Sequence, residues 1–153
     1  MPAQLAYIGL GANLGDARAT LLAATQSIAA IPGVAVLQCS PLYGSAALPP
    51  GAPDYVNAVL VARSALAPLE LLHALQRIEQ QAGRERPYPN APRTLDLDLL
   101  LYGSAQSCSA ELTLPHPRIY QRAFVLRPLA DIAPALVSAE QLRAVQAQAI
   151  WPL

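Results

Sequence analysis

The chain contains no lysine, and all 10 of its basic residues are arginine. This absence excludes Schiff-base catalysis and a phosphate-binding loop built around a lysine. Any positively charged side chain at an anion site must therefore be an arginine, whose guanidinium group can form bidentate hydrogen bonds with phosphate oxygens.

Other chemical classes are also scarce. The 2 cysteines, Cys39 and Cys108, are isolated, so neither a metal-ligand spacing nor a disulfide framework is present. The charged residues amount to 13% of the chain and cancel to a net charge of zero, which argues against a nucleic-acid partner. No apolar run is long enough to span a membrane, and no basic segment precedes the first apolar residues. We expect a cytoplasmic monomer with no membrane partner.

The remaining composition is that of a folded domain. With 54% hydrophobic residues over a length of 153, disorder is excluded, and residues 1–153 are predicted to form a single domain. Glycines at 9, 11 and 15 do not match the dinucleotide-binding fingerprint, and we interpret them as part of a turn between a strand and a helix.

Periodicity and turn residues predict the order β-α-β-β-α-β, which is typical of an α+β, ferredoxin-like antiparallel sheet, followed by added C-terminal elements. The predicted strands cover 4–10, 34–43, 55–61 and the run 93–102. The first helix begins near Asp16, and the second extends from Pro68 to a cap at Gly83. Further helices are predicted over 122–132 and 140–149.

The most informative run is Arg93–Tyr102, which is apolar except for one threonine and two aspartates behind its leading arginine. Because side chains alternate along a strand, Asp96 and Asp98 should project from one face and could meet one cluster of cations. The leucines at 95, 97, 99 and 101 should fill the opposite face. The alternative is an ordinary antiparallel strand with one solvated face.

Arginines are concentrated on either side of this strand. Three precede the aspartates, at 84, 86 and 93, and three follow His116, at 118, 122 and 127. Two carboxylates, two groups of arginines and a histidine together fit a metal-bound polyphosphate. Taken singly, His116 between two prolines is typical of a structural turn, and Phe124, the sole phenylalanine, is typical of a core residue.

Four segments, read in order, resemble a known family. They are Tyr7–Asp16 (YIGLGANLGD), Pro53–Ala58 (PDYVNA), Pro92–Gly103 (PRTLDLDLLLYG) and Leu114–Arg118 (LPHPR). Together they resemble 6-hydroxymethyl-7,8-dihydropterin pyrophosphokinase of folate biosynthesis. The resemblance implies transfer of pyrophosphate from MgATP to the hydroxymethyl group of a reduced pterin, with release of AMP.

The resemblance also implies a role for individual residues. Asp96 and Asp98 would hold two Mg²⁺ ions, and with Arg84 and Arg93 they would form the catalytic group. The ATP site would comprise Gln76, Glu79, Arg84, Arg93, Thr113, His116 and Arg122. The pterin site would comprise Ser45, Leu48, Tyr55, Asn57 and Phe124, with Tyr55 and Phe124 stacking on the two sides of the ring. At Glu111 the chain departs from the family, in which arginine is common.

Two other functions stay open at this point. A two-metal nucleotidyltransferase also uses paired aspartates, but it would release pyrophosphate rather than AMP. A non-catalytic nucleotide-binding module could occupy the same scaffold, since a fold does not determine a function.

Overall fold

The computed structural model describes residues 3–47, 51–83 and 95–153. Its strands, in chain order, are β1 (Gln4–Ala12), β2 (Val34–Cys39), β3 (Tyr43–Ser45), β4 (Tyr55–Ser64), β5 (Asp96–Tyr102), β6 (Ser107–Cys108), β7 (Thr113–Leu114) and β8 (Ile150–Pro152). Its α-helices are α1 (Ala17–Ala29), α2 (Pro68–Ala82), α3 (Ala123–Ile132) and α4 (Ala139–Ala144). None of the helices in these ranges is long and apolar enough to cross a membrane.

Six of these strands form one sheet, in which β5, β1, β4, β3 and β8 lie side by side and β2 also pairs with β4. Every strand pairing in it is antiparallel. The predicted α+β class with an antiparallel sheet is therefore confirmed. β6 and β7 form a separate two-stranded sheet.

One face of the sheet packs against α1 and α2. Ile8, Leu10 and Leu60 from the strands meet Ile28 and Leu75 from these helices, and all five are buried. Both helices begin as the sequence predicts. The Asp16 carboxylate accepts a hydrogen bond from the Ala19 N–H at the start of α1, and Pro68 begins α2.

The other face packs against α3. Val59 and Leu100 from the sheet meet Leu126 and Leu129 from the helix in a second apolar cluster. This cluster overturns the prediction for Leu101, which packs here and not with Leu95, Leu97 and Leu99. The reason is an irregularity in the β1–β5 register, where Tyr7 pairs with Leu101 but Ile8 pairs with Leu99. The extra residue, Leu100, reverses the alternation beyond it.

The predicted strand over 34–43 is divided into β2 and β3. Pro41 has no N–H to donate to the sheet, and the Ser40 side chain accepts the Val59 N–H at 3.0 Å. The helix predicted over 140–149 is also wrong in its extent, because α4 ends at Ala144 and the chain continues into β8. β8 completes the edge of the sheet by pairing with β3.

Gly9 and Gly11 lie within β1, and neither has a positive φ. The predicted strand over 4–10 already contains Gly9, whereas the interpretation of Gly11 as a turn residue is wrong. Only Gly15, with φ of 59°, has the left-handed conformation expected at the turn before α1.

Candidate active site

One row of residues crosses the sheet on the α3 face. Asp96 on β5 pairs with Gly11 on β1, and Gly11 pairs with Asn57 on β4. Asn57 in turn pairs with Tyr43 on β3. Partners in antiparallel strands project from the same face, so a carboxylate and an amide share this surface with one strand between them. At the usual strand spacing, β5 and β4 are about 9.5 Å apart.

The strand between them has no side chains on this face near the row. A Cβ built on Gly11 would lie 3.3 Å from Asn57 Oδ1, closer than an ordinary contact. A Cβ on Gly9, which pairs with Asp98, would lie 3.5 Å from the nearest atom of Leu100. The two glycines, both half-buried, therefore form a floor without side chains of its own between the aspartates and Asn57. Glycine in a strand pattern is a signal for such close approach, and it could have identified this floor from the sequence.

Asn57 is held firmly at one side of the floor. It is 3% exposed, and its Nδ2 donates a hydrogen bond of 2.7 Å to Ser45 Oγ, also buried. Tyr55, two residues earlier on the same strand face, pairs with Ser45 and is half-buried. Three of the residues predicted to bind pterin are thus adjacent. A fixed amide with donor and acceptor atoms suits the polar edge of a heteroaromatic ring.

The aspartates occupy the other side of the floor. Asp96 is exposed and Asp98 is half-buried, while Leu97 between them is buried against α2. The Leu97 N–H donates a hydrogen bond of 2.9 Å to Glu79 Oε2. Glu79 therefore reaches β5 from α2 and fixes the backbone between the two carboxylates, a contact that the sequence did not suggest.

His116 is brought to the aspartates by the chain that follows β7. The backbone N–H of His116 donates a hydrogen bond of 2.9 Å to the carbonyl of Leu100, which lies two residues beyond Asp98. Its ring Nδ1 accepts the Arg118 N–H at 3.2 Å. In the neutral ring the proton therefore belongs to Nε2, which remains a donor.

Burial is the main reason that the pKa of His116 lies below its ordinary value. The Asp98 carboxylate opposes this shift by favouring the charged ring. The guanidinium groups of Arg122 and Arg118 favour the neutral ring. A carboxylate, an imidazole and two guanidinium groups therefore lie close enough to interact electrostatically.

Arg122 and Phe124 flank the first residue of α3. The Arg122 guanidinium lies over the Phe124 ring, 5.3 Å from its centre. Both side chains are half-buried, so Phe124 keeps part of its surface open, unlike the fully packed core residue that would be the alternative. The cation over the ring fixes the position of both groups.

The other predicted residues have different positions. Gln76 is exposed on α2, three residues before Glu79, and Thr113 is exposed on β7. Close to β7, Glu111 Oε2 accepts a hydrogen bond of 2.9 Å from His73 Nε2 on α2. The two side chains form an ion pair when His73 is protonated. Leu48, Arg84, Arg86 and Arg93 lie outside the described residues.

Among residues 3–47, 51–83 and 95–153, no group of three or more His, Cys, Asp or Glu side chains could hold a metal ion. Within the described ranges, the two aspartates are thus not joined by a third such side chain in a metal-binding group. They fit Mg²⁺, which is commonly held by one or two carboxylates together with water and substrate phosphates.

The family model for 7,8-dihydro-6-hydroxymethylpterin-pyrophosphokinase matches residues 7–134. The chain is 43% identical to 2-amino-4-hydroxy-6-hydroxymethyldihydropteridine pyrophosphokinase of Synechocystis sp. over 97% of this chain and 80% of that protein. It is 45% identical to the enzyme of the same name from Pseudomonas aeruginosa, over 87% of this chain and 83% of that protein.

A solved HPPK-DHPS structure in complex with substrates has the same fold, with a TM-score of 0.67 and 14% identity over 94% of this chain. A Plasmodium falciparum HPPK-DHPS structure with pterin and p-hydroxybenzoate has a TM-score of 0.65 and 13% identity over 86% of this chain. The present chain covers only 43% and 40% of those two solved chains. The family match and the curated relatives carry the assignment: the chain belongs to the 7,8-dihydro-6-hydroxymethylpterin-pyrophosphokinase family.

Proposed function

We propose that the chain transfers pyrophosphate from ATP to the hydroxymethyl group of 6-hydroxymethyl-7,8-dihydropterin and releases AMP, as a step of folate biosynthesis. The observation that carries the proposal is the row from Asp96 across Gly11 to Asn57. It offers a site for a metal-bound polyphosphate and a site for a flat heteroaromatic on one open surface. The family membership of the chain supports the same reaction.

The pterin would lie against β4 with its polar edge on Asn57 and Ser45. Tyr55 and Phe124 would stack on its two faces, and Leu48 would contribute from the segment after β3. The hydroxymethyl group would then point across the glycine floor toward β5. A gap of about two strand spacings accommodates a hydroxymethyl group in contact with a phosphoryl group.

The polyphosphate would lie along β5. We propose that Asp96 and Asp98 hold two Mg²⁺ ions, which would withdraw charge from the phosphoryl oxygens and orient the β-phosphorus for in-line attack. His116 would donate from Nε2 to a phosphate oxygen, and Arg122 would lie beside it. Arg84 and Arg93 would neutralise charge on the transferred group. Gln76, Glu79 and Thr113 would complete the ATP site.

The reaction balances as a single displacement. The hydroxyl oxygen of the pterin forms a bond to the β-phosphorus, and the bond from that phosphorus to the oxygen bridging to the α-phosphate breaks. The pyrophosphoryl group is thereby transferred, AMP leaves, and the hydroxyl proton passes to solvent or phosphate. Positioning and electrostatic stabilisation are the contributions expected of the protein.

We further propose that β1, α1, the β2–β3 pair, β4, α2 and β5 constitute a ferredoxin-like βαββαβ unit. The adjacency of β5, β1, β4 and β3 supports this topology. We propose that residues 1–153 act as one domain, because both apolar clusters share one sheet. We also propose that this domain is cytoplasmic and acts as a monomer.

The test is an assay with ATP, magnesium and the reduced pterin that measures both possible by-products. Pterin-dependent formation of AMP, abolished by chelation of magnesium, is the expected result. Release of pyrophosphate instead would indicate a nucleotidyltransferase. Binding of nucleotide without turnover would indicate a non-catalytic module, and either result would overturn the proposal. Light scattering during size-exclusion chromatography would test the monomer.

A further inference from the structure

The proposed pterin site has two walls that come from different parts of the chain. One wall is the sheet, where β3 and β4 carry Ser45, Tyr55 and Asn57. The other is the start of α3, where Phe124 follows Ala123. Stacking on two rings requires a fixed distance between these walls, so whatever joins them controls the width of the slot.

Gln148 is hydrogen-bonded to the α3 wall at two points. Its Oε1 accepts the Ala123 N–H at 2.8 Å, and its Nε2 donates to the Gln121 carbonyl at 2.8 Å. Gln121 and Ala123 are the residues on either side of Arg122, and Ala123 directly precedes Phe124. A single amide side chain thus spans the backbone that carries both functional side chains.

The start of α3 needs such a partner. The first N–H groups of a helix have no partner within the helix, and the N-cap residue Arg122 makes no side-chain capping bond. Ala123 is 2% exposed, so loss of the bond from its N–H would leave a donor shielded from most solvent. The amide of Gln148 supplies what the N-cap residue does not.

The residues that follow Gln148 pair with the strand that forms the sheet wall. Two residues after Gln148, Ile150 pairs with Ser45, and Trp151 pairs with Gly44 in the β8–β3 ladder. The fit against Gly44 is close, because a Cβ built there would lie 2.2 Å from Trp151 Nε1. Residues 148–152 therefore connect both walls of the slot, and the Tyr43 hydroxyl joins β3 to Asp131 at the opposite end of α3.

We propose that Gln148 is a positioning residue for pyrophosphoryl transfer, which sets the separation between Phe124 and the β3–β4 wall. The inference rests on the proposed function, because it presumes that a pterin occupies the slot. Gln148 lies beyond residues 7–134, the part that the family model matches. It acts through Phe124 and touches neither substrate.

The test compares Gln148→Leu, Gln148→Glu and the control Gln146→Ala. Leucine keeps the approximate size and removes both side-chain hydrogen bonds, whereas glutamate keeps an acceptor for the Ala123 N–H and loses the donor to Gln121. Gln146 is exposed in the turn two residues before Gln148, so its truncation controls for a general effect of substitution near that position. Calorimetry would give the Kd of the reduced pterin with a non-hydrolysable ATP analogue, and steady-state assays would give kcat.

We expect Gln148→Leu to raise the pterin Kd about tenfold, equivalent to about 1.4 kcal/mol, and to lower kcat. The Kd of the ATP analogue without pterin should change less than threefold, and Gln148→Glu should recover most of the pterin affinity. Gln146→Ala should match the wild type. A pterin Kd within twofold of wild type in Gln148→Leu, or equal losses for both ligands, overturns the inference.

If Gln148→Leu does not fold, Gln148→Glu decides. A two- to fivefold increase in its pterin Kd supports the positioning role, and an unchanged Kd overturns it. Wild-type AMP formation is measured in the same experiment. Its absence would refute the proposed function, whereas an active wild type with unaffected variants would refute only the role of Gln148.

Discussion

The two faces of the central sheet use alternate residues of the same strands for different purposes. On the α1–α2 face, Ile8 and Leu60 are completely buried among other apolar side chains. On the α3 face, the same strands carry Gly9, Gly11 and Asn57. The half-buried Phe124 lies on this side of the sheet. Because successive side chains of a strand point to opposite faces, residues that stabilise the core and residues that line the proposed site can be neighbours in the sequence.

The largest expected effect tests this separation on β5. We expect Asp98→Ala to reduce pterin-dependent AMP formation by about 100- to 1000-fold, the cost of removing one preorganised electrostatic group. The free energy of unfolding without metal should stay the same or rise, since two carboxylates on one strand face repel each other. Turnover near the wild-type value would contradict the assignment of Asp98.

The reciprocal change is on the opposite face. Leu60→Ala should lower the free energy of unfolding by about 2–5 kcal/mol through the cavity that it creates. At a temperature where the variant remains folded, its kcat should be close to that of the wild type. A loss of activity as severe as that of Asp98→Ala, in protein that circular dichroism shows to be folded, would mean that the faces are not independent.

A third prediction concerns Phe124, which packs against the second apolar cluster beside the proposed slot. Phe124→Ala should weaken pterin binding by at least tenfold, about 1.4 kcal/mol, because both stacking and buried apolar contact are lost. ATP binding without pterin should change little. Titration calorimetry with each ligand, beside a thermal melt, separates this result from a core role, which predicts a large fall in Tm and equal losses for both ligands.

Local patterns in the sequence predict the shared face of the two aspartates but not the irregular pairing of the sheet around them. Asp96 and Asp98 alternate with leucines, and that local period places them on one face. Leu101 could not be placed correctly, because the irregularity at Leu100 depends on how β5 pairs with β1. Pairing between distant strands is a tertiary property that a single-strand pattern does not encode.

The same limit applies to the ends of the chain. The helical pattern after Glu140 continues beyond Ala144, where the structure instead directs the chain toward β3. The role of Gln148 depends on groups 25 and 27 residues away in the sequence. Its short-range context is that of an exposed polar residue, so no local pattern identifies it.

A fourth prediction compares two glycines on the α3 face. Gly11→Ala should weaken pterin binding about fivefold, since the added methyl group would crowd Asn57 Oδ1 and overpacking costs about 1 kcal/mol or more. Gly9→Ala is the matched control, because its methyl group would make an ordinary contact with Leu100. A pterin affinity of Gly11→Ala equal to that of the wild type would contradict the proposed floor.

The smallest expected effect is the pH dependence that His116 gives to stability. Because burial lowers its pKa in the folded state, the unfolded chain binds the proton more readily. The free energy of unfolding of the metal-free protein should therefore fall as the pH decreases through the ordinary histidine pKa of about 6.5 and toward the lower folded value. At higher pH the neutral ring is present in both states, and this contribution becomes constant.

Urea titrations at several pH values would measure how steeply the free energy of unfolding changes with pH. Unfolding can be followed by the fluorescence of the single tryptophan, Trp151. His116→Gln should reduce the slope in this window, whereas His73→Gln, which alters the other histidine, is the control and should retain the part due to His116. A slope unchanged by His116→Gln would show that the imidazole does not lose solvation on folding. The α3 face would then be more open around His116 than its contacts with Leu100 and Arg118 imply.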